Sequence, residues 1–287
     1  MKVGIIGAGA WGTALAICAA RGGADVVLWS YDGECAPFDG VQMPQNIRMT
    51  DNLADLAGMD AWLVATPAAY FEETIAKARP HYDGVPIIIC TKGADPKTGD
   101  FTSEMLTRAL PECTEYGVLS GPQFAAEVAR GVPTGSTLAA TGGARAAGHA
   151  ALRMLELEDS DDIIGAQMCG VGKNAVALIC GYCSVASGGE NERALIFTRA
   201  WNDVMEIGMA LGAQTRTFLR LCGIGDLYLS ATSETSRNFS GGMAIARGMA
   251  PAGTVEGIYA LRGLTRRAKS LGVAAETLNR LQSEMKI

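Results

Sequence analysis

Lys173 is the one charged residue in a long uncharged stretch. Every other residue from Ile163 to Gly189 is uncharged, and the residues after the lysine are mostly apolar. Because lysine is rarely buried without a partner, its ammonium group either reaches water or meets a polar group in a cleft. In a cleft, the amine is a candidate proton donor, since burial lowers the pKa of an amine towards neutrality. Its positive charge would also stabilise a developing alkoxide.

A glycine-rich loop near the N-terminus has the spacing that suits a diphosphate. The sequence GAGAWG, residues 7–12, follows an apolar run and opens a helical pattern. In this context Gly7 permits a tight turn, Gly9 lets the backbone approach a pyrophosphate, and Gly12 lets the helix pack closely on a strand. We interpret the loop as a dinucleotide site, and a glycine turn without a ligand is the alternative.

The end of the second predicted strand bears on which dinucleotide binds. Trp29 is followed by Ser30, Tyr31 and Asp32, with no arginine nearby. An acidic residue here binds ribose hydroxyls and favours NAD, whereas a basic residue favours the 2′-phosphate of NADP. These residues slightly favour NAD, but they leave the preference between NAD and NADP open.

Two more cations stand where a phosphate group could bind. Arg237 and Asn238 follow a polar stretch, TSETS, and a guanidinium makes bidentate contacts with phosphate oxygens. Lys92 follows the predicted strand VPIIIC, and ligands of such sheets bind beyond the carboxyl ends of strands. A solvated arginine on a turn and an ordinary surface lysine are the alternatives.

The elements that must position these residues change type near residue 160. Before it, helical patterns at about 67–79, 102–110 and 124–130 alternate with six apolar runs, and 31–53 reads mostly as loop. The six runs are KVGIIG, ADVVLWS, AWLVAT, VPIIICT, YGVLS and GSTLAAT. Beyond it only helical patterns follow, at 166–186, 190–211 and about 255–271. The order predicts an α/β Rossmann-like, doubly wound parallel sheet over residues 1–162, and an all-α domain over residues 163–287.

The composition and net charge of the chain disfavour several classes of protein and kinds of site. The chain has 287 residues and a net charge of −6, which disfavours a general nucleic-acid or anionic-membrane binder. Its eight cysteines are scattered through apolar stretches without a disulfide framework or a signal peptide, which indicates reduced thiols in the cytosol. Cys180 and Cys183 form a C-x-x-C inside a helical pattern, more typical of core residues than of a redox or metal site. We expect no metal site and no membrane span.

Several motifs together resemble the bacterial type of NAD(P)-dependent glycerol-3-phosphate dehydrogenase. The resemblance runs in a consistent order from about Val3 to Val273. It is carried by GAGAWGTALA, TKG, VLSGPQFAAEVARGVPT, VGKNAVALI, NERALIFTRA, GIGDLYLSATSETSRN and TVEG. The reaction implied is reversible hydride transfer between NAD(P)H and dihydroxyacetone phosphate, giving sn-glycerol 3-phosphate for phospholipid synthesis. A cytoplasmic homodimer is also implied.

The resemblance assigns roles to individual residues. Lys173 matches the lysine that donates or accepts the proton, Lys92 contacts substrate and cofactor, and Asp226 contacts the substrate. The remaining substrate contacts implied are Gly121, Gln123, Ser236, Arg237 and Asn238, the last three around the phosphate end. The cofactor contacts implied, beside Gly7, Gly9 and Gly12, are Ala10, Trp11, Tyr31, Lys92, Ala125, Arg237, Thr254 and Glu256.

The sequence departs from the family pattern at three places. The stretch between Trp29 and Val41 is short, the C-terminal segment lacks the usual continuation, and Gln123 replaces a small hydroxyl residue. Two other functions stay open. One is a related two-domain hydroxyacid dehydrogenase acting on another substrate, and the other is a non-catalytic dinucleotide sensor, which would not need Lys92, Lys173, Asp226 and Arg237 together.

Overall fold

A computed structural model describes residues 1–186 and 188–287. They form two compact units. The first comprises Met1–Lys92 and Phe101–Ile163, and the second comprises Gly93–Asp100 and Ile164–Ile287.

The first unit is built on an eight-stranded sheet with the order β3-β2-β1-β4-β5-β6-β7-β8. Its strands are β1 Lys2–Ile6, β2 Asp25–Trp29, β3 Ile47–Thr50, β4 Ala61–Val64, β5 Ile87–Ile89, β6 Tyr116–Ser120, β7 Gly135–Ala140 and β8 Glu156–Ser160. Its α-helices are α1 Ala10–Arg21, α2 Ala68–Ala78, α3 Thr102–Ala109, α4 Ala125–Arg130 and α5 Gly142–Ala151. The central strands are fully buried apolar runs, as expected for a sheet with helices on both faces. The predicted doubly wound Rossmann-like fold is confirmed.

The sheet differs from the sequence prediction at both edges. Strand β3 lies in the stretch predicted as loop, where it pairs with β2. Strand β7 runs antiparallel to β6, so the sheet is mostly rather than wholly parallel, and β8 continues beside β7. The connection between β6 and β7 contains only the short helix α4, which packs on α1 and does not cross over the sheet as a parallel connection requires.

The regular elements of the second unit are helices in its described residues, and its segment Gly93–Asp100 is a loop. Its α-helices are α6 Ile163–Ala186, α7 Glu190–Ala210, α8 Asp226–Ala231, α9 Arg237–Ala246, α10 Glu256–Leu271 and α11 Glu276–Glu284. Helix α6 is long and apolar enough to cross a membrane by length and composition alone, but most of it is buried as the core helix of this unit. Glycines let α9 approach it. A Cβ on Gly181 would lie 1.9 Å from the Phe239 oxygen, and one on Gly242 would lie 2.0 Å from the Leu178 oxygen.

The cysteines behave as core residues. All eight are free thiols, and Cys35 alone is not fully buried. Burial raises the pKa of Cys180 to about 12 and that of Cys183 to about 11. Because the thiolate is the reactive form, a raised pKa leaves these thiols almost wholly protonated near neutral pH.

Alkylation of the native protein near pH 7 should therefore label Cys35 first, with Cys180 and Cys183 unmodified until the chain is unfolded. Peptide mass spectrometry after iodoacetamide treatment, with and without denaturant, measures this order. Raising the pH towards 11 should speed the reaction of Cys183. Rapid native labelling of Cys180 and Cys183, or a disulfide between them, would contradict their assignment as core residues.

Candidate functional site

The predicted site residues divide between the two units. The first unit holds Gly7, Gly9, Ala10, Trp11, Gly12, Tyr31, Lys92, Gly121, Gln123 and Ala125, and the second holds Lys173, Asp226, Ser236, Arg237, Asn238, Thr254 and Glu256.

The glycine loop connects β1 to α1 in a shape that suits a diphosphate. Gly7 adopts a φ of +106°, which L side chains rarely tolerate, and a Cβ on Gly12 would lie 1.8 Å from the Gly7 oxygen. Gly9 precedes α1 without a side-chain cap, and a Cβ built on it meets nothing within 4 Å. The helix N-terminus is therefore left with unsatisfied N–H groups facing open space, and these residues fit a pyrophosphate.

Lys92 lies beside the same end of the sheet. Its Nζ donates a hydrogen bond to the Gly121 oxygen at 2.6 Å and stands 5.8 Å from the centre of the Trp11 ring. The Trp11 indole donates to the Cys90 oxygen at 3.0 Å, so the ring is fixed against the segment that carries the lysine. The structure thus brings together Trp11, Lys92 and Gly121, three residues that lie far apart in the sequence.

Gln123 lies in the segment between β6 and α4, directly before Phe124 and Ala125. Both polar atoms of its carboxamide are buried without a hydrogen-bond partner in the described protein. An unsatisfied buried amide costs about 1–3 kcal/mol, so a hydrogen bond to a polar ligand would stabilise this side chain. It lies two residues beyond Gly121, whose oxygen holds Lys92.

The end of β2 presents Tyr31 and Asp32. Tyr31 is exposed, and the Asp32 carboxylate accepts hydrogen bonds from the Glu34 N–H and the Ser30 hydroxyl. These two bonds lower the pKa of Asp32, so the group is an anion at neutral pH. The Asp32 carboxylate, which the sequence analysis considers as a ribose ligand, is therefore held in a fixed place after β2.

Lys173 is paired inside the second unit. Its Nζ lies 3.1 Å from Asp226 Oδ1 and 2.9 Å from Ser230 Oγ, and the side chains of the lysine and the aspartate are only 12% and 1% exposed. An ammonium group has three N–H donors, and these partners account for two of them. Lys173 therefore does not simply extend into water. A π-helical turn, Leu221–Gly225, leads directly into Asp226, and such turns are frequent at functional sites.

Ser230 is a contact of Lys173 that the sequence prediction missed. It follows Asp226 by four residues on α8, so both side chains lie on the same face of that helix. The spacing D-L-Y-L-S was the signal that could have found it.

Asn174 was missed as well, although it is the immediate neighbour of Lys173. It is buried, donates to Glu256 Oε2 at 3.2 Å, and accepts from the Asn238 amide at 2.9 Å. Asn238 in turn accepts from the Gly257 N–H at 2.8 Å near the start of α10. The predicted contacts Asn238 and Glu256 are thus brought together through Asn174.

The remaining predicted residues lie at helix starts. Ser236 caps α9 by accepting from the Phe239 N–H, and Arg237 is the first residue of that helix. The Arg237 side chain is exposed, and within the described part of the chain it makes no hydrogen bond or ion pair. Thr254 is exposed two residues before α10. A free guanidinium at a helix N-terminus is suited to bind an anion.

Comparison with known proteins gives a consistent result. The models of the N-terminal and C-terminal parts of NAD-dependent glycerol-3-phosphate dehydrogenase match residues 2–146 and 162–284. A relative from Parvibaculum lavamentivorans named glycerol-3-phosphate dehydrogenase, NAD(P)+ type, is 39% identical over 262 residues, covering 86% of this chain and 78% of its own length. One of the same name from Methylobacterium radiotolerans is 37% identical over 288 residues, covering 95% and 86%.

Solved structures agree. The crystal structure of glycerol-3-phosphate dehydrogenase from Coxiella burnetii has a TM-score of 0.89 and 27% identity, and the match covers 99% of this chain and 94% of that one. A ketopantoate reductase from Ralstonia eutropha has a TM-score of 0.67 at 17% identity, covering 100% and 97%, which shows a shared fold alone.

Proposed function

Because the chain belongs to the NAD-dependent glycerol-3-phosphate dehydrogenase family, we propose that it interconverts dihydroxyacetone phosphate and sn-glycerol 3-phosphate with NAD(H) or NADP(H). The observation that carries the proposal is the buried pair of Lys173 and Asp226, with Ser230 as a further partner of the lysine. A dinucleotide sensor has no need of a buried ammonium group with a donor left for a substrate oxygen.

Lys173 supplies the proton in this mechanism. When bound, the dinucleotide provides or accepts the hydride. Reduction of the ketone also needs a proton at the carbonyl oxygen, and the Lys173 ammonium donates it through the N–H that Asp226 and Ser230 leave free. The two partners fix the direction of the Lys173 side chain. In the reverse direction the neutral amine accepts the proton from the hydroxyl group.

The other residues bind and orient. We assign the pyrophosphate to the loop from Gly7 to Gly12 and the ribose to the end of β2 near Tyr31 and Asp32. Arg237 takes the substrate phosphate at the start of α9. Lys92, Gly121 and Gln123 are substrate contacts by family position. Ala125, Thr254 and Glu256 remain cofactor contacts by family position.

The wider assignments rest on the family. Residues 1–162 form the dinucleotide-binding domain and residues 163–287 the substrate-binding domain. The protein acts in the cytoplasm as a homodimer and supplies glycerol 3-phosphate for phospholipid synthesis. It inserts into no membrane and binds no nucleic acid.

The test is to mix the protein with dihydroxyacetone phosphate and follow the absorbance of NADH and NADPH in parallel. We expect rapid oxidation of both, and faster oxidation of NADH because the Asp32 anion after β2 repels a 2′-phosphate. Dihydroxyacetone without its phosphate is the control and should react far more slowly. Clear dinucleotide binding without oxidation would point to another hydroxyacid substrate or to a sensor.

A further inference from the structure

The segment Gly93–Asp100, here called the strap, follows Lys92 directly but belongs to the second compact unit. The chain passes from the first unit to the second between Lys92 and Gly93, and it returns between Asp100 and Phe101. The strap therefore begins at the peptide bond that follows a residue proposed to contact substrate and cofactor. Whatever fixes the strap also restricts Lys92.

The strap is closed on itself by its own hydrogen bonds. The Asp95 N–H donates to the Asp100 oxygen at 2.9 Å, and the Gly99 N–H donates to the Asp95 oxygen at 2.8 Å. The Asp95 carboxylate accepts from the N–H groups of Lys97 and Thr98 at 2.7 and 2.8 Å. Because the loop is tied internally, a restraint at one of its residues also restricts the neighbouring residues of the loop, and each anchor adds to that restriction.

Two neighbouring arginines on α10 hold the strap. Arg266 donates to the Lys97 oxygen at 2.7 Å, and Arg267 donates to the Gly99 oxygen at 2.9 Å. Arg267 is the less exposed of the two, with a side chain only 15% exposed, and its guanidinium stands 3.7 Å from the Asp100 carboxylate. The strap backbone also lies close to α10, since a Cβ on Gly99 would be 3.6 Å from the Gly263 Cα.

Helix α10 begins at Glu256, a proposed cofactor contact, and carries the arginines near its other end. We infer that Arg267 is a positioning residue which, by fixing the strap on α10, holds Lys92 at the place where it contacts substrate and cofactor. The inference rests on the proposed function for the role of Lys92. Arg267 itself touches neither ligand, and its effect passes through the chain from Gly99 back to Lys92.

Removing the anchor should loosen Lys92 without removing any group that contacts the ligands. A misplacement of about 1 Å costs up to roughly 10²-fold in rate, so we expect Arg267→Ala to lose about tenfold in kcat/KM for dihydroxyacetone phosphate. Arg267→Lys keeps the charge and one donor, and should recover part of the loss. Arg280→Ala is the matched control, since Arg280 is an exposed arginine of the same unit whose ion pair is with Glu284.

A double-mutant cycle with Lys92→Met separates positioning from a general loss of stability. If Arg267 acts through Lys92, the double variant should be no slower than Lys92→Met alone, because the energies of coupled residues are not additive. Multiplying losses would overturn the inference, and so would an Arg267→Ala variant with wild-type kcat/KM. If Arg267→Ala does not fold, the same cycle is run with Arg267→Lys.

Hydrogen exchange provides a readout that does not depend on the reaction. In Arg267→Ala the amides of residues 92–100 should exchange faster than in the wild type, and in Arg280→Ala they should not. Unchanged exchange in Arg267→Ala would overturn the inference. A wild-type protein that shows the protected strap but no reduction of dihydroxyacetone phosphate would instead contradict the proposed function, so the two failures are distinguishable.

Discussion

Replacing Lys173 by alanine should reduce kcat by about 10²–10⁴-fold while leaving the dinucleotide affinity near the wild-type value. The variant removes the proton donor and the positive charge that stabilises the developing alkoxide. The loop from Gly7 to Gly12, which is proposed to bind the diphosphate, belongs to the other unit and is not altered. Stopped-flow reduction of dihydroxyacetone phosphate measures the rate, and quenching of protein fluorescence by NADH measures the affinity.

The same substitution also takes the cation from a buried carboxylate. Asp226 is 1% exposed, and removing one partner of a buried pair costs about 3 kcal/mol or more. Lys173→Ala should therefore unfold at a lower denaturant concentration than the wild type. A loss of activity caused by unfolding could then be mistaken for the loss of the proton donor.

The double variant Lys173→Ala/Asp226→Asn separates the two effects. It replaces the carboxylate that has lost its cation by a neutral amide of the same shape, so stability should return towards the wild-type value while turnover stays lost. Ser230→Ala, which removes one hydrogen bond to the lysine and one to Asp226, should retain part of the activity. A folded Lys173→Ala variant with substantial turnover would exclude Lys173 as the proton donor.

The sequence predicts the centre of the first unit better than its edges. The central strands are continuous apolar runs that alternate with helical patterns, and these two signals determine a Rossmann-like order. Strand β3 is only four residues long and none of its residues is fully buried, so it lacks the apolar run on which the prediction relied. Helix α5 contains three glycines, which lower its local helical signal.

Strand direction depends on packing that the sequence does not display. Strand β7 reads like any other buried strand, but it runs antiparallel to β6. The connection between the two strands contains the short helix α4, which packs on α1 and does not cross over the sheet. Helices α1 and α4 lie about 110 residues apart in the sequence. Periodicity within one segment carries no information on such a contact.

The site shows the same division between local and distant information. An isolated lysine in an apolar helix could be recognised as unusual from its own surroundings. Its pairing with Asp226 across 53 residues of sequence has no local signal, and the resemblance to a known family gave Asp226 only as a substrate contact. Asn174 was missed because an asparagine beside a candidate catalytic residue has no distinguishing local pattern. Its role is visible only from its hydrogen bonds to Glu256 and Asn238.

Replacing Arg237 by alanine should lower kcat/KM for dihydroxyacetone phosphate by about 10²-fold or more and leave the slow reaction of dihydroxyacetone unchanged. The Arg237 side chain is exposed at the start of α9 and makes no hydrogen bond or ion pair with the described residues, so its loss breaks no such bond among them. Two charge-assisted hydrogen bonds to a phosphate are worth about 1.5–3 kcal/mol each, which gives this magnitude.

The ratio of the rates with dihydroxyacetone phosphate and with dihydroxyacetone makes the experiment specific for the phosphate. A substitution that disturbs the fold or the proton donor lowers both rates together. Loss of a phosphate contact lowers only the rate with dihydroxyacetone phosphate. Arg237→Lys is the matched variant, since it keeps the charge but not the planar pair of donors, and it should recover only part of the rate. If Arg237→Ala lowers both rates equally, Arg237 acts as the cofactor contact that its family position also implies, and the phosphate binds elsewhere. An unchanged rate with dihydroxyacetone phosphate would show that Arg237 is a solvated surface residue.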